Sequence, residues 1–290
     1  MDEAEPLAGV PGAELGEGPS WDEADRRLSW VDILAGRVHR WWRDTGRTEV
    51  TEIGELVAAA VPRAAGGLAL ALTQALATSD FDATIGRRQS IEAGVPGNRL
   101  NDAKCDPAGR LYVGSMSTTG RTGAAALYRV DKDWQVSTVL TGTTISNGLG
   151  WSPDGSRMYF NDTGADSVYA FDYDVEAGTA SNQRVLYRFA ADEGHPDGLT
   201  VDADGCLWVA CYGGSGVRRV TPDGKLDGVV RLPVRNVTSC TFGGPELAEL
   251  FVTTAAEGLS DAERAEQPLA GRVFRYRPGV RGLPVVAFAG

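Results

Sequence analysis

Six times along this 290-residue chain, a turn rich in Asp, Pro and Gly opens into a short strand of alternating apolar residues. Four copies are plain: "SWDEADRRLSWVD" (20–32), "DPAGRLYVGS" (106–115), "SPDGSRMYFND" (152–162) and "DADGCLWVACY" (202–212). Two are degenerate, "AAGGLALALT" (64–73) and "GGPELAELFVTT" (243–254). Their first core aliphatic residues, Leu28, Leu68, Leu111, Met158, Leu207 and Leu250, follow one another at intervals of 40, 43, 47, 49 and 43 residues. Strands rich in Val, Tyr, Trp and Leu between Pro/Gly turns argue for β structure, and a helical stretch is expected only in "LSDAERAEQ" (259–267). An all-β unit of about 40–50 residues is the length of one propeller blade. The chain therefore reads as all-β, one domain over residues 1–290: a six-bladed β-propeller with four-stranded antiparallel blades around a central channel. A closed ring leaves no free sheet edge, so a strand from one terminus is expected to complete a blade begun at the other. The seven tryptophans read as packing between blades.

In such a blade the innermost strand precedes the turn to the anchor strand, so counting back from each anchor finds the residues nearest the channel. Glu17 and Asn147 lie 11 residues before their anchors, and Asn101 and Asp197 lie 10 before theirs. Radial symmetry points equivalent positions at one another. Carboxylates and amides facing across a narrow channel repel, or lose hydration without compensation, unless a cation lies between them. An oxygen-only set without His or Cys suits one hard divalent ion, Ca²⁺, Mg²⁺ or Mn²⁺, over a soft zinc or copper site; Zn²⁺ and Fe²⁺ stay among the ions to test. "GEGPSW", "SNGLGW" and "HPDGLTVD" each place a glycine directly after the polar residue, which permits close backbone approach or positive φ.

Composition removes other classes. With 39 acidic and 28 basic residues the net charge is −11, which opposes nucleic acid and leaves no basic stripe. The opening "MDEAEPLAGV" is acidic where an export leader is basic. The most apolar window, from Leu56, is broken by Pro62, Arg63, Gly66 and Gly67, short of the roughly 18–20 apolar residues of a membrane helix. Four cysteines without a CxxC read as buried reduced thiols. A cytoplasmic protein with no membrane partner is expected, and with no heptads or long exposed edge, a monomer.

"LGEGPSW" (15–21), "NRLNDAKCDPAGRLYVGSM" (98–116), "ISNGLGWSPDG" (145–155), "PDGLTVDADGCLWVACYGG" (196–214), "TSCTFGG" (238–244) and "GLPVVAFAG" (282–290), in that order, carry a resemblance spanning nearly the whole chain. The sequence resembles the senescence marker protein, gluconolactonase and luciferin-regenerating family. That resemblance implies a six-bladed propeller with one catalytic divalent metal, whose ligand motifs fall on Glu17, Asn147 and Asp197, the residues found by counting. It further implies a substrate held by Arg99 and Asn101 of "NRLND" and the opening of a sugar lactone to an aldonic acid. In that scheme Asp197 is ligand and general base, Glu17 and Asn147 hold the ion, and Asp102 steadies Arg99. His195, two residues before Asp197, is set aside because the metal route does not require it. One branch of the family has a glutamate in the loop after the third blade's second strand, whereas "GSMSTTGRTGAAA" (114–126) contains no acid. Two alternatives stay open: a non-catalytic propeller that binds calcium or a partner protein, and a broader lactonase or phosphotriesterase on the same scaffold.

Overall fold

The turns form as their side chains dictate. Asp106 accepts hydrogen bonds from the backbone amides of Ala108 (3.0 Å) and Arg110 (2.8 Å), and Gly109 takes the left-handed conformation at φ +79°. Asp202 repeats the arrangement on Asp204 and Cys206, with Gly205 at φ +84°. The carboxylate satisfies amides that have no ladder partner in the turn, and glycine adopts that φ without strain. Each turn feeds an anchor. Leu28, Leu68, Leu111, Met158, Leu207 and Leu250 all lie on the second strand of a sheet, none more than 4% exposed.

The computed structural model describes residues 4–81 and 83–290, and these residues form six four-stranded antiparallel sheets. The innermost strands of blades 1 to 6 are Gly16–Asp22, Val57–Pro62, Asn98–Cys105, Ser146–Trp151, His195–Val201 and Asn236–Gly243. Each packs against that of the next blade, and the blade 6 strand packs against that of blade 1, which closes the ring. Closure uses the N-terminus as expected: Glu5–Pro6 is the outer strand of blade 6, with Glu5 opposite Arg275 and Pro6 opposite Phe274.

Aromatic residues fill the seams between blades. Trp21 stacks on Phe251 (5.5 Å) where blade 1 meets blade 6, Trp208 meets Phe242 edge-on (5.8 Å), and Tyr112 meets Trp151 (5.3 Å). The C-terminal segment is a strap across the lower rim. Gly282 bridges Asp202 of blade 5, Phe288 bridges Arg63 of blade 2, and the Phe288 ring is fully buried against Trp134 (5.4 Å). The expected helical turns are Asp261–Glu266, held by a reciprocal cap between Ser260 and Glu263. All four cysteines are buried and unbridged. No helix among the described residues is long and apolar enough to cross a membrane.

The closing seam also carries a charged tie. Glu249 on the second strand of blade 6 is buried and accepts from Arg43 of blade 1 at 3.0 and 3.1 Å, with Arg277 at 3.4 Å and Arg275 at 3.8 Å. Burial pushes the Glu249 carboxyl up, but the Arg43 hydrogen bonds and the three positive charges outweigh it and hold it below the usual range. A carboxyl lowered in the folded state contributes stability that is present above its unfolded pKa, about 4.3, and lost as pH falls through the folded value. Glu249→Gln is thus expected to cost about 2 kcal/mol at pH 7, with the gap closing below about pH 4. Denaturant unfolding across pH checks this, and a gap constant from pH 7 to 3 contradicts it.

Candidate functional site

Every innermost strand is bulged at the same height. Glu17, Asn101, Asn147 and Asp197 each lie four residues before the residue that pairs with the anchor: Trp21, Cys105, Trp151 and Val201. The sequence spacings of 10 and 11 therefore differ only in the length of the hairpin turn. Ala58 and Thr238 hold the same position in blades 2 and 6. Neither presents an oxygen to the channel, because Ala58 has none and the fully buried Thr238 hydroxyl lies between the Gly16 carbonyl (2.6 Å) and the Thr253 hydroxyl (2.9 Å). The polar arc is thus confined to blades 1, 3, 4 and 5.

A bulge sets two residues against one, which breaks the alternation of the strand and re-aims its side chains. Asn101 and Asp102 together oppose Gly114, Asn147 and Gly148 oppose Asn161, and Asp197 and Gly198 oppose Ala210. Close approach of neighbouring blades explains the glycines. A Cβ on Gly148 would lie 2.6 Å from the Asp197 carbonyl oxygen, and one on Gly198 would lie 2.8 Å from the Ser239 Cα.

One hydrogen-bonded chain joins three of the expected residues. Arg99 Nη1 donates to Asn101 Oδ1 (2.8 Å) and to the Leu100 carbonyl (2.8 Å). Asn101 Nδ2 donates to Asn147 Oδ1 and to the Ser146 carbonyl, both at 3.1 Å. Asn147 Nδ2 donates to Thr163 Oγ1 (2.9 Å), and Thr163 donates to the Pro196 carbonyl (2.7 Å). With its nitrogen held by Thr163, the Asn147 amide keeps its oxygen, and one lone pair, toward the arc. Asn161 Nδ2 grips the Asp197 carbonyl at 2.6 Å.

The carboxylates interact through charge. Glu17, Asp102 and Asp197 are each at most 8% exposed, and each accepts from the backbone amide of the residue that follows: Gly18 at 2.8 Å, Ala103 at 2.7 Å, and Gly198. Burial, then the charge of Asp102, pushes Glu17 up to about 8. Burial, then the charges of Glu17 and Asp102, pushes Asp197 up, with Arg99 pulling the other way. A carboxylate has about four lone-pair sites, and buried anions left so poorly supplied call for a positive charge. Among the described residues no three His, Cys, Asp or Glu side chains are disposed to hold a metal ion. A cation here would draw on the Asn147 amide oxygen as well as Glu17 and Asp197, a donor set that fits a hard divalent ion.

The expectation that Asp102 steadies Arg99 is corrected. No ion pair joins them among the described residues, and the charge that favours ionised Asp102 is that of Lys104. The bulge is the reason, since it re-aims Asp102 toward the lower cavity that Lys104 also lines, while Asn101 stays bonded to Arg99 and Asn147. Lys104 Nζ donates to the Leu199 carbonyl (2.5 Å). Below this level lies a largely apolar cavity of about 340 Å³, floored by Leu283–Val286 of the strap. It is lined by Gly18 and Asp102 but not by Glu17, Asn147 or Asp197. His195 is exposed on the rim, hydrogen-bonded to Asp166 (2.6 Å). The acid-free loop after the second strand of blade 3 is tied down by Thr118 donating to the Gly97 carbonyl (2.7 Å) and Arg121 to that of Pro96 (3.0 Å). Sequence reasoning did not find Glu257 and Tyr212, which meet at 2.8 Å above the arc.

The model of a family described as "SMP-30/Gluconolactonase/LRE-like region" matches residues 15–256. The chain belongs to this family. Among family relatives, regucalcin of Danio rerio is 40% identical over 284 residues, covering 96% of this chain and 95% of that protein. A Bacillus subtilis (strain 168) protein provisionally named sugar lactone lactonase YvrE is 35% identical over 280 residues, with 96% of each chain covered. The solved structure of a calcium-binding protein, regucalcin, from Agrobacterium tumefaciens superposes with a TM-score of 0.90 at 28% identity over 99% of both chains.

Proposed function

We propose that this chain hydrolyses a sugar lactone to the aldonic acid, with one divalent cation held by Glu17, Asn147 and Asp197. The observation that carries the reading is the trio of buried, under-supplied carboxylates beside the Asn147 oxygen in a chain of this family. When bound, the cation supplies Lewis-acid polarisation of the lactone carbonyl and lowers the pKa of water. Asp197 takes the proton from the attacking water and returns it to the ring oxygen as the C–O bond breaks, leaving carboxylic acid and alcohol in balance. Arg99 holds the substrate, since among the described residues only its Nη1 is hydrogen-bonded, leaving Nε and Nη2 to donate. Asn101 uses both amide hydrogens on Ser146 and Asn147, so it aligns Arg99 with the ion site and contacts the sugar through its remaining Oδ1 lone pair. The buried, unbridged cysteines suit a reducing compartment, the cytoplasm, and the chain acts as a monomer.

The name of the Agrobacterium protein favours one second reading, a propeller that binds calcium without catalysis. A pH-stat panel separates these readings from each other and from a phosphotriesterase. Protein reconstituted with Ca²⁺, Mg²⁺, Mn²⁺, Zn²⁺ or Fe²⁺ is given hexono- and pentonolactones, an aryl ester and an organophosphate. Aldonolactones are expected to be turned over with kcat/KM of about 10⁴ M⁻¹s⁻¹ or more, well above the other two. Cation binding without turnover of any lactone would support the binding propeller; faster turnover of the ester or organophosphate would support the wider hydrolase.

A further inference from the structure

We propose that Glu257, held by Tyr212, is the wall of the site that receives the hydroxyl-bearing edge of the lactone and sets selectivity for polyhydroxylated substrates; this rests on the lactonase reading. Glu257 follows the second strand of blade 6, at the start of residues 256–273, the longest of the six connections between second and third strands. In a ring of six, blade 6 stands opposite blade 3, which carries Arg99 and Asn101. A lactone held by Arg99 above Asp197 therefore turns its far edge toward Glu257. The distance is short enough for the charge of Glu257, after those of Glu17 and Asp197, to favour the ionised Arg99 guanidinium.

The residue is held as a binding group is held. Its amide donates to the Glu14 carbonyl (2.8 Å), and its carbonyl accepts from Asn236 Nδ2 (2.9 Å) at the start of the innermost strand of blade 6. Tyr212 donates its hydroxyl hydrogen to Glu257 Oε2 at 2.8 Å. Half-buried, the carboxylate has no ion-pair partner among the described residues, and its Oε1 accepts no hydrogen bond from them. Other acids of the rim are occupied: Glu14 pairs with Arg264, Glu193 with Arg218, and Glu92 accepts from Asn98, Ser115 and Tyr128. With the Tyr212 proton given to Oε2, the free positions of the pair are acceptors, which suits them to hydroxyl donors rather than to a carbonyl or an anionic group. The acid on this rim thus comes from blade 6, across the ring from the loop at 114–126, which contains none.

Steady-state kinetics of Glu257→Gln test this, using an aldonolactone and δ-valerolactone, which has no hydroxyls, with the same cation. The variant can keep the bond from Tyr212 while presenting an amide NH₂ where Oε1 accepts. The expected result is a rise in KM for the aldonolactone of about tenfold or more, with kcat within about twofold and the δ-valerolactone parameters unchanged. Tyr212→Phe leaves the carboxylate charged but untethered and is expected to raise the same KM about threefold; it serves as the test if the Gln variant does not fold. Equal effects on both lactones, or no effect on either, overturn the inference while leaving the lactonase reading intact. Failure of the wild type to hydrolyse any lactone overturns both.

Discussion

Replacing Asp197 with alanine is expected to lower kcat for aldonolactones by about 10³-fold or more at saturating cation. The effect should be chemical, because the segment does not depend on the side chain for its shape. Asn161 Nδ2 holds the Asp197 carbonyl at 2.6 Å, Thr163 holds that of Pro196 at 2.7 Å, and Gly198 fits against Ser239 whatever stands at 197. Asp197→Asn sharpens the test. It keeps an oxygen donor for the ion but has no carboxylate to accept a proton, so kcat should stay low after the weaker cation affinity is overcome by excess ion. Unchanged turnover in either variant at saturating cation would remove Asp197 as the base.

Stripping divalent cations should abolish lactone turnover, and restoring one equivalent should return it. Stability should follow, because an ion that binds only the folded chain stabilises it by about 2.7 kcal/mol at a free concentration a hundred times its Kd. Glu17 gives the effect a pH signature. Its carboxyl is raised to about 8 in the ion-free fold, by burial first and then by the charge of Asp102. An acid whose folded pKa exceeds its unfolded value binds more protons when folded, so ion-free stability falls as pH rises from about 4.3 toward 8. Cation binding at pH 7 should therefore release protons and tighten as pH rises to 8. Melting curves with and without ion, and calorimetry in two buffers of different ionisation enthalpy, read both effects. A melting temperature indifferent to every divalent ion would contradict them.

The repeat was legible because it is written in local chemistry. Asp-Gly turns and aliphatic anchors are short-range signals, and one strand length carries the count from anchor to channel, which is why Asn101, Asn147 and Asp197 fall on equivalent bulges and Glu17 directly before one. The bulges themselves left no such mark. Simple alternation places Asn101 and Asp102 on opposite faces, and only the folded strand shows both turned inward with Asp102 answering to Lys104 rather than Arg99. Glu257 and Tyr212 escaped for a different reason. Tyr212 ends the second strand of blade 5 and Glu257 lies beyond that of blade 6, outside the innermost strands to which the count applies, and they meet across a sequence separation of 45 residues. The strap behaves likewise, since nothing in "GLPVVAFAG" announces that Phe288 crosses the rim to bury itself beside blades 2 and 3.

The central claim is that Glu17, Asn147 and Asp197 share one cation at the channel mouth. Anomalous diffraction from crystals of chelated protein soaked in Mn²⁺ reads this directly. One peak is expected at full occupancy, within about 2.0–2.6 Å of a Glu17 carboxylate oxygen, Asn147 Oδ1 and an Asp197 carboxylate oxygen. A peak elsewhere in the channel, such as beside Lys104 in the lower cavity, or no peak at a saturating concentration, would contradict it.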